Sequence, residues 1–301
     1  MVAAKDNQEA GQRTEESDQA VSVPQETQAT EQTKPTAQGQ LIIIGGAEDK
    51  EGDCQILREF ARQAGGSTAR IVVMTVATGL PGEVGEQYTR IFERLGVEDV
   101  RVIDTARRED GDDPRALEIL REATGVFFTG GDQRRITENL KGTETDRLLH
   151  ERYLQGLVIA GTSAGAAMMP DMMIAEGEPQ TNARVEVVEM EAGMAFLPGV
   201  VIDQHFAERG RLGRLLSAVV QQPVTLGFGI DENTAIVVSQ GEFTVIGQGA
   251  ITVIDVSKIS HSNLSQSLKD EPLALCGATL HILPNGYRFD LKKRSPIWEG
   301  E

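Results

Sequence analysis

Cysteine, histidine and basic residues are in short supply in this chain, and each shortage closes off a class of protein. The two cysteines among 301 residues, Cys54 and Cys276, lie far apart with no Cys-x-x-Cys spacing. That excludes a disulfide framework, fits a reducing compartment and leaves both as expected packing residues. With four histidines and no His/Cys/Asp cluster at ligand spacing, neither a metal nor any other cofactor is expected. A Gly-x-x-x-x-Gly-Lys-Ser/Thr phosphate loop is also missing. No apolar run approaches the roughly 18 residues that span a bilayer, so no membrane role is expected. Against 46 Asp and Glu stand only 29 Lys and Arg, a net charge of −17, which disfavours nucleic acid and other polyanions as partners.

Residues 1–39 contain almost no large apolar side chains, are rich in Gln, Glu, Thr and Ala, and keep to no helical or strand period. A disordered N-terminal tail is expected there, ahead of a single domain over residues 40–301. The start, Met1-Val-Ala-Ala-Lys-Asp-Asn-Gln-Glu, has no apolar h-region and turns acidic at once, which argues against a secretory signal and for a cytoplasmic protein.

Past the tail, two kinds of segment alternate. Leu41-Ile-Ile-Ile44, Ile71-Val-Val-Met74, Val100-Arg-Val-Ile103, Val126-Phe-Phe128 and Leu157-Val-Ile-Ala160 are short apolar runs ending in turn residues, the pattern of buried parallel strands. Between them lie amphipathic segments. Ile56, Leu57, Phe60, Ala61 and Ala64 precede Gly65-Gly66; Tyr88, Ile91, Phe92 and Leu95 precede Gly96. Asp113-Pro114 reads as an N-cap with proline at the first helical position, opening a helix that carries Leu117 and Leu120. Such alternation predicts a three-layer α/β/α sandwich with a mostly parallel sheet. Beyond Pro223 the runs shorten and alternate, at Ala235-Ile-Val-Val238, Phe243-Thr-Val-Ile246 and Ile251-Thr-Val-Ile254, which predicts antiparallel additions. Residues 279–283 and 287–291 flank Pro284-Asn285-Gly286 and read as a hairpin.

In a parallel sheet, ligands belong at the carboxyl ends of the strands. Three segments place polar groups there: Gly130-Gly131-Asp132-Gln133, Ser163, and Asp203-Gln204-His205 after Val200-Val-Ile202. Gly161-Thr162-Ser163-Ala164-Gly165 fits the G-x-S-x-G elbow, in which a strand-to-helix turn exposes a serine and aims the first N–H groups of the helix, Ala164's among them, at an oxyanion. Met168, Met169, Met172 and Met173 are expected to pack that helix against the sheet. A serine needs a base, and of the four histidines only His205 ends an apolar strand among polar neighbours. Its orienting acid is Asp231 or Glu232, between which spacing does not choose. The order serine, histidine, acid differs from that of α/β-hydrolases. Arg209, Arg211 and Arg214 form either a solvated face paired with Glu208 or forks that capture carboxylates.

Taken together, Ile-Ile-Gly-Gly-Ala-Glu-Asp-Lys (43–50), Thr-Gly-Gly-Asp-Gln (129–133), Gly-Thr-Ser-Ala-Gly-Ala-Ala (161–167), Asp-Gln-His-Phe (203–206) and Gly-Ile-Asp-Glu (229–232) resemble the cyanophycinase family. Its serine peptidases include aspartyl dipeptidases. The resemblance runs from about residue 41 to near the C-terminus, with residues 172–184 matching less closely. It implies a fold like that of class I glutamine amidotransferases, with Ser163 as nucleophile, His205 as base and Glu232 as the orienting acid. It further implies that Gly131 completes an oxyanion hole beside Ala164, and that Gln133, Asp203, Gln204, Arg209, Arg211 and Arg214 line the substrate pocket. The implied substrate is cyanophycin, a polyaspartate with arginine on each β-carboxyl, cut to β-Asp-Arg dipeptides by a homodimer. An aspartyl dipeptidase is disfavoured by the long C-terminal β-region and the three arginines. A non-catalytic binding module would leave the coincidence of serine, histidine and acid unexplained.

Overall fold

The apolar runs build a nine-stranded sheet. In the computed structural model, which describes residues 39–179, 182–221 and 226–298, its parallel half consists of β1 (Leu41–Ile44), β2 (Arg70–Met74), β3 (Asp99–Ile103), β4 (Gly125–Phe128) and β5 (Val158–Thr162). Their spatial order is β1, β5, β4, β2, β3. The expected tail lies outside the described residues up to residue 38.

Helices cover both faces. On one side α1 (Gln55–Gln63) and α2 (Pro81–Arg94) bury Ile56, Leu57, Phe60, Tyr88, Ile91 and Phe92 against Ile42, Ile44, Ile71 and Val73. The rings of Phe60, Tyr88 and Phe92 lie 4.7 to 5.6 Å from that of Phe127. On the other side lie α3 (Pro114–Glu122), α4 (Gln133–Leu140), α5 (Glu144–Leu154) and the single-turn α6 (Ala164–Ala167). Asp113 caps α3 as expected, its carboxylate accepting from Arg115 N at 2.8 Å. Each fully buried aliphatic side chain in these layers contributes about 1.5–3 kcal/mol.

The helix after the elbow is shorter than the methionine pattern predicts. Pro170 cannot continue a helix, and Met172 and Met173 lie instead on β6 (Met172–Glu176), which pairs with β7 (Glu189–Ala192). A second departure concerns β8 (Val200–Gln204), which is not in the main sheet. It lies parallel to β9 (Leu226–Ile230) in a separate four-stranded sheet, whose outer face is covered by α7 (Leu212–Gln221).

From β9 onward the chain alternates between the two sheets. β10 (Thr234–Ser239) and β11 (Glu242–Gly247) extend the main sheet antiparallel beyond β1, whereas β12 (Ala250–Asp255) joins β9. After the short pair β13 (His261–Ser262) and β14 (Leu275–Cys276), β15 (Thr279–Pro284) pairs with β12. β16 (Arg288–Asp290) pairs with β11 and with β17 (Ser295–Ile297). The hairpin expected across residues 284–286 is therefore absent. A tight turn does form there, with Tyr287 N donating to Pro284 O at 3.2 Å, but it carries the chain from one sheet to the other. Apolar side chains of both sheets share one core, with Phe228 edge-on to Phe243. That shared burial outweighs local pairing across the turn. Among the described residues no helix is long and apolar enough to cross a membrane.

Candidate active site

Ser163 alone makes the turn between β5 and α6. Its backbone stands at φ 52°, ψ −109°, outside the regions that L-residues favour, a strain of the kind found at functional sites. Its neighbours leave no alternative. A Cβ on Gly161 would lie 2.1 Å from Gly165 O, and one on Gly165 would lie 2.5 Å from Phe128 O. Because Ala164 opens α6, its N–H has no acceptor within the helix. On the loop after β4, a Cβ placed on Gly130, one residue before Gly131, would lie 3.4 Å from Ser163 Cβ.

His205 comes directly after β8 and reaches Ser163 across the gap between the two sheets. Its Nε2 lies 3.0 Å from Ser163 Oγ and its Nδ1 lies 2.6 Å from Glu232 Oε1. The backbone turns at φ 48° and its N–H donates to Gly45 O at 2.8 Å. Gly46 backs the ring: a Cβ there would sit 2.3 Å from His205 Cε1. Glu232 stands on the corner between β9 and β10. Asp231, its neighbour, turns the other way and accepts from Ala207 N at 3.2 Å and Ala250 N at 3.0 Å. Burial pushes the His205 imidazole below its ordinary 6.5; Glu232 pulls it back up, and the charges of Arg209 and Arg211 add to the depression. A neutral imidazole between a hydroxyl and a carboxylate can accept the hydroxyl proton and be stabilised as the cation.

The arginines divide by environment. Arg211 and Arg214 are each 6% exposed, so they do not form the solvated face that the sequence left open. Arg214 grips Asp203 with Nε, at 2.8 Å, and Nη2, and spends Nη1 on Gly177 O at 2.7 Å. Arg211 Nη1 meets Asp203 Oδ1 at 3.3 Å, Gln204 Oε1 at 2.9 Å and Gln204 O. Its Nε is buried without a partner. Burial, with the Arg214 and Arg209 charges and against the pull of Asp203, lowers Arg211 to about 10. Arg209 is exposed. Gln133 opens α4 and donates to Ile174 O at 3.0 Å and Ala175 O at 2.9 Å, while Arg134 pairs with Glu176, Glu189 and Glu191. Together they fasten β6 and β7 beside the site. A cavity of about 840 Å³, lined by Glu176, Glu178, Glu186, Glu189 and Lys269 among others, borders Gly177.

Two residues at the site carry no mark of their role in the sequence. Gly46 and Glu48 both lie within the 43–50 motif, where Gly45-Gly46 reads as a turn after an apolar strand and nothing distinguishes Glu48 from the charged residues beside it. Glu48 is 3% exposed and accepts from the Thr162 hydroxyl next to Ser163.

Residues 41–246 match the family described as Peptidase family S51. A cyanophycinase from Trichormus variabilis is 40% identical over 259 residues, covering 85% of this chain and 87% of that protein. One from Geminocystis herdmanii is 39% identical over 259 residues, covering 85% of this chain and 95% of that protein. Among solved structures, a peptidase from an acI-B1 Actinobacterium superposes with a TM-score of 0.63 at 19% identity, over 85% of this chain and 98% of that one; the likeness is one of fold.

Proposed function

The chain belongs to peptidase family S51 and is a serine-type peptidase, and from that premise we propose that it hydrolyses cyanophycin to β-Asp-Arg dipeptides as an exopeptidase. The observation that carries the reading is the run of contacts from Ser163 Oγ through His205 to Glu232, 3.0 Å and 2.6 Å long. Ser163 Oγ attacks the carbonyl carbon of a backbone peptide bond as His205 Nε2 takes its proton. The oxyanion is held by the N–H groups of Ala164 and Gly131, aided by the α6 dipole. His205 then gives the proton to the leaving amine, the C–N bond breaks, and an acyl-enzyme remains. Water, deprotonated by His205, adds to the ester and releases Ser163. Glu232 holds the imidazole in the tautomer that leaves Nε2 free to accept.

Specificity derives from charge. Arg209 and Arg211, with Gln204, face the carboxylates of the substrate, while Gln133 holds β6 and Arg214 holds Asp203 in the pocket wall. The acidic lining beside Gly177 has the sign that suits arginyl side chains. The resemblance also implies a homodimer, which sedimentation velocity reads directly. The decisive experiment is mass spectrometry of the products after incubation with purified cyanophycin. Release of β-Asp-Arg is expected. Cleavage of free aspartyl dipeptides with the polymer left intact would instead make the protein an aspartyl dipeptidase.

A further inference from the structure

Beneath the site lies a carboxyl group that the reaction does not use. Burying a carboxylate is costly unless donors satisfy it, and Glu48 has three. The Thr162 hydroxyl donates to Oε2, and the Tyr88 hydroxyl and Lys50 Nζ, the latter at 2.9 Å, meet Oε1. Lys50 Nζ also sits over the Tyr88 ring, 5.5 Å from its centroid. Thr162 is the last residue of β5 and immediately precedes the strained turn at Ser163. Glu48 thus ties the end of that strand to α2, which carries Tyr88, and to its own loop.

The same loop meets the serine, the histidine and the residue that follows the acid. Ile44 O accepts from Ser163 N at 3.1 Å and Gly45 O from His205 N at 2.8 Å. Gly46 leaves no room for a side chain beside the imidazole. On the acid side, Gly46 O accepts from Asn233 N at 2.8 Å, and Asp49 N donates to Asn233 Oδ1 at 2.8 Å, one residue after Glu232. Ser163 and His205 follow strands of two different sheets, and residues 44–50 touch both of them and Asn233, beside Glu232.

We propose that residues 44–50 form a frame that registers the three groups against one another, and that Glu48 is the positioning residue through which the frame holds Ser163. Glu48 has this role only if Ser163 is the nucleophile proposed above. It touches no reacting atom. It fixes the Thr162 side chain, and with it the direction in which the strand enters the turn. Displacing a reacting atom by about 1 Å costs on the order of 100-fold in rate, so loss of this tether acts on turnover before it acts on binding.

The test uses Glu48→Gln, Thr162→Val and Thr162→Ser in the full chain, assayed well below each variant's melting temperature. Turnover of cyanophycin and the rate at which a fluorophosphonate labels Ser163 are measured side by side. Glu48→Gln and Thr162→Val are expected to lower kcat by roughly 10- to 100-fold with KM unchanged, and to slow labelling in step. The double variant should be no slower than the worse single one, because both disturb the same Glu48–Thr162 link. Thr162→Ser keeps the hydroxyl and should recover most of the rate. A purely structural Glu48 would lower melting temperature and leave both rates at the parental level, and that result overturns the assignment, as does an additive double variant. If Ser163→Ala retains turnover and the probe labels elsewhere, it is the nucleophile reading that fails.

Discussion

Ser163 and His205 stand at positive φ, and both conformations are supported by glycines that admit no side chain. Ser163→Ala should fold normally and lose turnover on the order of 10⁶-fold, with His205→Ala similar and the double variant little worse. More than a few per cent of residual activity in Ser163→Ala would sink the nucleophile. Gly46→Ala would push a methyl group into the His205 ring, so a loss of about 100-fold or more in kcat is expected. A Gly46→Ala enzyme at the parental rate would show that the ring has room to move. As the proposed base, His205 works only when neutral, and burial depresses its proton affinity. Activity should therefore fall on the acid side with a midpoint below 6.5. Arg209 contributes to that depression, so Arg209→Gln should move the acid limb of kcat/KM to higher pH. An unmoved or oppositely moved limb would refute that coupling. Serine and histidine stand out in the sequence because a motif and an apolar strand single them out. The carboxyl that meets the histidine was not legible from spacing, because Asp231 and Glu232 are adjacent and only the direction of the corner separates them. Glu48 was illegible for another reason: in a stretch reading Glu-Asp-Lys-Glu, nothing marks which charge is buried.

At the scale of elements, the parallel strands and the cap at Asp113 were legible because they depend on short-range pattern. The β8 strand was legible as a strand and not as a member of the second sheet, since both sheets demand the same apolar run. Residues 284–286 carry the residues of a hairpin turn, yet the strands on either side find better partners in β12 and β11. The start of α7 brings Arg211 and Arg214 onto Asp203, a pairing across chain segments that no helical spacing reveals. Arg211 is the one with a buried Nε unspent. Replacing it by Lys removes the planar fork while keeping the charge. The loss of a buried, charge-assisted contact costs about 1.5–3 kcal/mol, or roughly 10- to 150-fold in kcat/KM. Labelling of Ser163 by small acylating probes should continue. Steady-state kinetics on cyanophycin checks this, and an Arg211→Lys enzyme with parental kcat/KM would remove Arg211 from substrate contact.

For the whole molecule, residues 1–38 have too few apolar side chains to add to a core. Their removal is expected to leave melting temperature and turnover unchanged within error; a clear drop in either, by calorimetry or by assay, would show that the segment docks. The remaining chain joins its two sheets at three short corners, residues 231–233, 248–249 and 285–287. The first two are tied to each other: Gln248 N donates to Asn233 O at 2.9 Å and Gly249 N to Thr234 Oγ1 at 2.8 Å. This stitching divides the surface into places where the protein can be lengthened and places where it cannot. The exposed turn at Gln240 and Gly241 stays within one sheet, so a grafted loop there would change neither sheet's position. One residue added between Ile230 and Thr234 would alter the offset between the sheets and carry Glu232 away from His205. Added length is thus expected to be tolerated in turns that begin and end in the same sheet, and not at the corners between sheets.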